Sequence, residues 1–292
     1  MSKKKQYIRI KVFRKPFSYW FPGTDYVASI IHKYHEHMRN GDFLVISEKA
    51  IATARGYIYD ERLVDVDTLL EVLTKLTNWF WSRICHRFFS RDTIKLLTNT
   101  PIDYIARHKK LALRYGGIVH FFKPLSEAGI DATNLPYTYV SLPLSRARRE
   151  AEYVMRYIYR KIGKILNVMI IDTDKTFRPK KLRGIAFSTR PASVKGEIDL
   201  GALAYFLGKY VKKKFVETPT LVAYSGVWIG LPLLLKIAKI ADRAMGSGLG
   251  ANIFEMASRL GRSIVRVGWK DMLKLKHYPA VLARVYTVPG HN

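Results

Sequence analysis

Two short acidic loops carry residue types that can hold a hard cation. Asp131 and Asn134 stand three apart in EAGIDATN (127–134), so an oxygen and an amide can point into one site. Asp172-Thr173 closes the apolar run VMIID (168–172), and α/β folds commonly place ligands where strands end. Two carboxylates and a hydroxyl suit Mg²⁺ or Mn²⁺, which take oxygen ligands and bind nucleotide phosphates. An Asx-turn at Asp131 and a helix cap at Asp172 would use the same residues, and spacing alone leaves both readings open. The cluster GSGLG (246–250) can present backbone N–H groups to phosphate. It follows a predicted helix instead of a strand, so a helix–helix turn is the plainer reading. Lys175 lies three residues past Asp172, within reach of a phosphate there, although a solvated loop lysine is the default. No GxxxxGK[ST], HExxH or GxSxG occurs, and the eight histidines show no metal-ligand pairing.

The elements that must position these residues read as a mixed α/β or α+β fold, because strands and helices alternate irregularly. Strands are expected at 6–14, FLVIS (43–47), GIVHFF (117–122), 168–172, GIAFS (184–188) and 280–288. Helices are expected near 25–39, 101–115, 145–163, 199–214, 231–245 and 251–261. In 145–163, Ala151, Val154, Met155, Ile158 and Ile162 form an apolar face at helical spacing. No repeat or long linker divides the chain, so 1–292 reads as one domain.

Within it, 66–95 is a helical excursion. Leu69, Leu70, Leu73, Leu76, Phe80 and Ile84 recur at helical spacing, and aromatics alternate with bases between Trp79 and Arg91. Such a stretch can stack on nucleic acid or lie on a membrane surface. The plainer expectation is that its aromatics pack on the body or on a second subunit.

Lys and Arg number 50 against 23 Asp and Glu, a net charge of +27. That field attracts polyanions: nucleic acid, an anionic surface or a phosphorylated small molecule. The single cysteine excludes a disulfide framework and a cysteine-based zinc site. No apolar stretch follows the basic start, so a cytoplasmic protein is expected. The eighteen uncharged residues from Thr218 to Leu235 just reach membrane-spanning length. Pro219, Pro232, Gly226 and Gly230 interrupt them, which favours a buried strand, a turn and a helix start.

Five segments, in order, resemble the coenzyme F420-0:L-glutamate ligases. GDFLVISEKAIATARG (41–56) is similar to their GD-[IV]-LVVAQK-xxxKAEG stretch, EAGIDATN to NAGIDxSN, MIIDT (169–173) to IISDT, KGEID (195–199) to RGxxD, and ADRAMG (241–246) to AELVMG. The resemblance implies an α/β fold with mixed sheets and intertwined parts, usually dimeric. It implies a GTP- and divalent-metal-dependent ligase that activates a carboxylate of coenzyme F420-0 as an acyl phosphate, which L-glutamate then attacks. It assigns metal binding to Asp131, Asp172 and Thr173, nucleotide contacts to Ser47, Glu48, Asn134, Gly246 and Ser247, and leaves Lys49 as the surviving first lysine of the motif. Lys49 and Lys175 are the candidate catalytic bases. Departures fall at Thr53 and Arg55, where the family has lysine and glutamate, and at Glu127, where it has asparagine. The expectation is thus an amide ligase with Mg²⁺ or Mn²⁺ and GTP, acting on an F420-0-like acid and L-glutamate as a homodimer. The alternative is a relative without this chemistry that binds nucleotide, nucleic acid or anionic surfaces.

Overall fold

A computed structural model of the chain describes residues 6–88, 94, 97–124, 128–136, 138–250, 252–263 and 266–289. Strand β1 (Gln6–Arg14) leads to helix α1 (Tyr26–Tyr34), whose N-cap Asp25 accepts a hydrogen bond from Ala28 N at 3.0 Å. Strand β2 (Phe43–Ser47) runs directly into helix α2 (Glu48–Ala54), and the short strand β3 (Ile58–Asp60) follows. Helix α3 (Thr68–Trp79) continues through a π-helical turn, Phe80–Ile84. Helices α4 (Ile102–Gly116) and α5 (Ile118–Phe121) precede strand β4 (Tyr139–Ser141). Helix α6 (Ala147–Ile162) stops at Gly163, whose φ of 65° gives the left-handed cap that glycine adopts without strain. Strand β5 (Asn167–Pro179) is followed by β6 (Ala186–Ser188), β7 (Glu197–Asp199), helix α7 (Ala202–Tyr210) and strand β8 (Phe215–Ser225). Helices α8 (Leu231–Met245), α9 (Ile253–Arg259) and α10 (Trp269–Met272) lead to the last strand, β9 (Ala280–Pro289).

The large sheet runs β1-β9-β2-β5-β6-β7, with β8 also paired to β5; β3 and β4 form a separate two-stranded ladder. Parallel β2–β5 pairing sets Ser47 opposite Ile171, so the carboxyl end of β2 arrives beside Asp172. The β5–β8 register shifts on both sides of Asp172, between Ile170 and Ile171 and again between Asp172 and Lys175. That irregularity re-aims the side chains of 172–174 away from strict alternation.

Two cores sandwich this sheet, and the period-2 alternation of β2 and β5 divides their side chains between them. Leu44, Ile46, Val168 and Ile170 pack with Ile30, Ile51 and Val154 from α1, α2 and α6. Phe43, Val45, Met169 and Ile171 pack with Leu234, Ile237 and Ala238 of α8. Burying each such aliphatic side chain contributes about 1.5–3 kcal/mol. This double coverage explains why β2 and residues 168–171 of β5 are continuous apolar runs.

The segment 117–122 is a correction. It forms the single turn α5, not a strand: Gly117 ends α4 at a φ of 80°, His120 and Phe121 turn inward, and Ile118, Val119 and Phe122 face out. The stripe of α3 also differs from expectation. Leu70, Thr74 and Thr77 are buried, whereas Leu69, Leu73, Leu76, Trp79, Phe80 and Ile84 are exposed. Trp81 is buried instead and donates from its ring nitrogen to the carbonyl of Phe122 at 2.7 Å. Phe89, Arg91 and the rest of 89–93 lie outside the described residues. The uncharged run 218–235 divides into the end of β8, a turn and the start of α8. Among the described residues no helix is long and apolar enough to cross a membrane.

Candidate active site

A cavity of about 1140 Å³ opens where β2 ends beside the irregular middle of β5; that strand does not close at Asp172, as the sequence suggests, but runs on to Pro179. Its floor is Ser47, Ile171, Asp172 and Thr173; Lys49 and Thr53 reach it from α2. The 128–134 loop supplies Asp131, Thr133 and Asn134, and the loop after α8 supplies Gly246 and Ser247. Of the residues singled out in the sequence, Ser47, Lys49, Asp131, Asn134, Asp172, Thr173, Gly246 and Ser247 therefore line one cavity. Segments more than one hundred residues apart meet here because parallel pairing sets the end of β2 beside Asp172, midway along β5.

The loop bearing Asp131 is tied down by backbone pairing with β4. Asp131 N donates to Ser141 O at 3.3 Å, and Ser141 N donates to Asp131 O at 2.9 Å. Asp131 Oδ1 accepts from both the amide and the hydroxyl of Thr133, each at 2.7 Å. Its Oδ2 accepts from Lys49 Nζ at 2.8 Å, and the same ammonium also contacts Thr133 Oγ1. Burial alone would raise the pKa of Asp131. The Lys49 charge and the Thr133 hydrogen bonds outweigh burial and hold the carboxyl below its ordinary range. The outcome is a lysine side chain held in place on the cavity wall.

Asn134 does not point freely into the cavity. Its residue adopts a left-handed φ of 58°, and its side chain bridges to the glycine loop: Nδ2 donates to Ser247 O at 3.3 Å, and Oδ1 accepts from Leu249 N at 2.8 Å. Tyr19 Oη donates to its carbonyl at 2.7 Å. Asn134 thus positions the 246–250 loop against the acidic loop.

Sequence reasoning missed Arg190. This side chain is wholly buried below the cavity floor. Its Nη1 contacts both Glu48 Oε2 and Asp172 Oδ2, and its Nη2 donates to Glu48 Oε1 at 2.9 Å. Glu48 is completed by the amide of Leu144 at 2.9 Å. The two carboxylates hold the guanidinium proton more tightly than usual, against the opposing effect of burial. Beside it, Lys123 Nζ donates to Asp174 Oδ2 at 3.0 Å, with both groups buried. Burial, reinforced by nearby Asp172 and opposed by Lys123, pushes Asp174 up to about 6. The only local signal for Arg190 was a basic residue just past a short strand, which is too common to interpret.

Two expected contacts are not brought into the cavity. Glu48 is turned inward to Arg190, because it occupies the first turn of α2 on the face toward β5. Lys175 pairs with Glu217 of β8 at 3.4 Å, since the register of β5 and β8 sets it beside Pro219 and across from that strand. Thr53, where the resemblance has lysine, is buried and donates its hydroxyl to Lys49 O at 2.9 Å. Arg55 leaves the site altogether and pairs with Glu150 at 2.7 Å. Glu127 lies outside the described residues.

In this arrangement the Asp131/Asp172 pair does not fit a resident divalent ion. Asp172 Oδ1 accepts from Thr173 N at 2.8 Å and its Oδ2 carries Arg190, so all four oxygens of the two carboxylates already have donors. Among the described residues no group of three or more His, Cys, Asp or Glu is placed to hold a metal.

Comparison with known proteins agrees with the motif reading. Residues 19–195, more than half of the chain, match the family model described as F420-0:Gamma-glutamyl ligase. An uncharacterized protein of Methanocaldococcus jannaschii is 27% identical over 259 residues, covering 85% of this chain and 86% of the relative.

Proposed function

The chain belongs to the F420-0:gamma-glutamyl ligase family, and from that premise we propose that it is a nucleoside-triphosphate-dependent amide ligase working in the cavity around Lys49. The observation that carries the reading is the meeting of Lys49, the Asp131 loop, residues 171–173 of β5 and the 246–250 loop around one space. GTP is the proposed co-substrate. The acid is a phosphorylated carboxylate of the F420-0 kind and the amine is L-glutamate. The strong positive charge of the chain favours the approach of both polyanions.

The proposed reaction has two displacements. A carboxylate oxygen of the acid attacks the γ-phosphorus, the bond to the β,γ-bridging oxygen breaks, and GDP departs. The glutamate nitrogen then attacks the acyl carbon, the carbonyl collapses to an amide, and phosphate leaves with the former carboxylate oxygen. The departing phosphate takes up the proton that the nitrogen loses. Phosphoryl transfer needs positioning and cationic stabilisation more than covalent help. Lys49 suits that role because Asp131 and Thr133 fix it in place. The amides of Gly246, Leu249 and Gly250 already donate to Asp242 O, Asn134 Oδ1 and Ser247 O, so phosphate is assigned the amides of Ser247 and Gly248, and Asn134 holds that loop in register.

A homodimer is part of the same reading. The outward Leu69, Leu73, Leu76, Trp79 and Phe80 form an apolar stripe of the type that marks an interface. The test of function is direct. Purified protein is incubated with GTP or ATP, F420-0 and L-glutamate, with and without Mg²⁺, and products are read by mass spectrometry and phosphate release. A glutamylated product formed with one GDP per amide supports the reading. No amide with either nucleotide, despite intact folding, rejects it.

A further inference from the structure

We infer that Arg190 and Lys49 serve as built-in cations in the places that the family resemblance gives to divalent ions, so that this cavity takes up a polyphosphate without a resident metal. The inference rests on the reading of the cavity as a nucleotide site.

Three observations carry it. First, each of four carboxylates already touches a cation, Glu48 and Asp172 sharing one. Glu48, Asp131, Asp172 and Asp174 are met by Lys49, Lys123 and Arg190, all through direct contacts. A buried carboxylate must be paired or neutralised, and here protein cations already do so. A divalent ion on these aspartates would sit against a guanidinium or ammonium already bonded to each, a like-charge encounter that costs binding free energy.

Second, the fold makes room for the guanidinium in particular. Gly129, two residues before Asp131, has a φ of 81°. A Cβ there would stand 2.3 Å from Arg190 Cζ and 2.3 Å from Nη1. The acidic loop therefore rests its bare backbone against the Arg190 head. This is a seat for a flat, delocalised cation, which binds carboxylates through a fork of N–H groups.

Third, the two cations act at different depths. Arg190 is sealed under the floor and fixes Asp172 and Glu48. Lys49 lines the cavity, where it can meet a phosphate oxygen. Divalent ions in such sites bridge and neutralise phosphates. A lysine supplies the charge but no exchangeable coordination sphere, so affinity for phosphate is decoupled from metal concentration.

The test uses two measurements on the full chain. Free Mn²⁺ is followed by its paramagnetic resonance signal during titration with nucleotide-free protein. The wild type is expected to leave Mn²⁺ free, and Arg190→Met, which uncovers Glu48 and Asp172, to take it up. Saturable uptake of one Mn²⁺ by the wild type that Asp172→Asn abolishes overturns the inference. If Arg190→Met does not fold, the wild-type titration still decides. Second, calorimetric titration with GTP is run in EDTA and in Mg²⁺. The two affinities are expected to agree within about tenfold, and a larger loss in EDTA overturns the inference. Absence of GTP binding in both buffers counts against the proposed function instead, and the Mn²⁺ titration then judges the cation assignment by itself.

Discussion

Gly129→Ala should destabilise the protein through Arg190, and the magnitude follows from two separable costs. The backbone cost comes from holding alanine at a φ of 81°, about 1–2 kcal/mol for an L-residue in left-handed space. The second cost is steric. The new Cβ would lie 2.3 Å from Arg190 Cζ, far inside van der Waals contact. A free arginine head would simply swing aside. This one is held by Glu48 and Asp172 and has no exposed route. Displacing it uncouples a buried ion pair, which costs about 3–5 kcal/mol. The expected loss is therefore about 4–7 kcal/mol. Gly41→Ala is the matched control: its φ is 85°, and nothing lies within 4 Å of the added Cβ. It should lose only the backbone share. Equilibrium unfolding in guanidinium chloride at constant pH measures both. Equal losses for the two variants would refute the claim that Gly129 exists to seat Arg190.

Other expectations follow from the same geometry. The carboxylate oxygens of Glu197 are buried with neither hydrogen-bonded in standard geometry, and burial pushes its pKa up to about 8 from 4.5. The folded state then keeps a proton that the unfolded chain releases, so stability should fall as pH rises from 4.5 to 8, by at most about 5 kcal/mol; Glu197→Gln should flatten that part of the pH profile in chemical denaturation, and an unchanged slope would contradict it. Lys49→Met should lower GTP affinity and ligation together, by about tenfold to a hundredfold if it contributes one charge-assisted contact, and calorimetry checks this against unchanged circular dichroism. Asn134→Ala removes the two side-chain bonds to the 246–250 loop and should cost about 1–3 kcal/mol, read as lower thermal stability and a faster amide exchange at Leu249. Leu73→Glu with Leu76→Glu should yield a monomer by sedimentation velocity with folding intact, because both side chains already face outward.

How legible this molecule was depended on the range over which each signal acts. Strand 43–47 and the first half of β5 were readable because burial on both faces demands uninterrupted apolar runs, whereas the continuation of β5 to Pro179 was not, because its residues from Asp172 on are mostly polar or charged. Asp131 and Asp172 stood out because each lies close to another polar side chain in the sequence, but what brings them to one cavity is the β2–β5 pairing and the Asp131–Ser141 bridge. GIVHFF misled because its β-branched and aromatic residues outweigh, in any local reading, the glycine that ends α4 and lets one more helical turn form. The stripe of α3 misled differently. Periodicity reveals that one face is apolar, but Thr74 and Thr77 turned out to be on the body side. Arg190 was invisible because its partner Glu48 lies 142 residues away. Nothing local distinguishes a buried arginine from a solvated one until the sheet is assembled.

The acyl-phosphate route is tested most directly by the fate of one carboxylate oxygen. The acid substrate is prepared with a heavy-oxygen label in its carboxylate and ligated to L-glutamate with GTP, and the inorganic phosphate is isolated and weighed by mass spectrometry. The proposed function predicts one labelled oxygen in each phosphate released with amide, and loss of both products in Lys49→Met. Amide formed alongside unlabelled phosphate would contradict it.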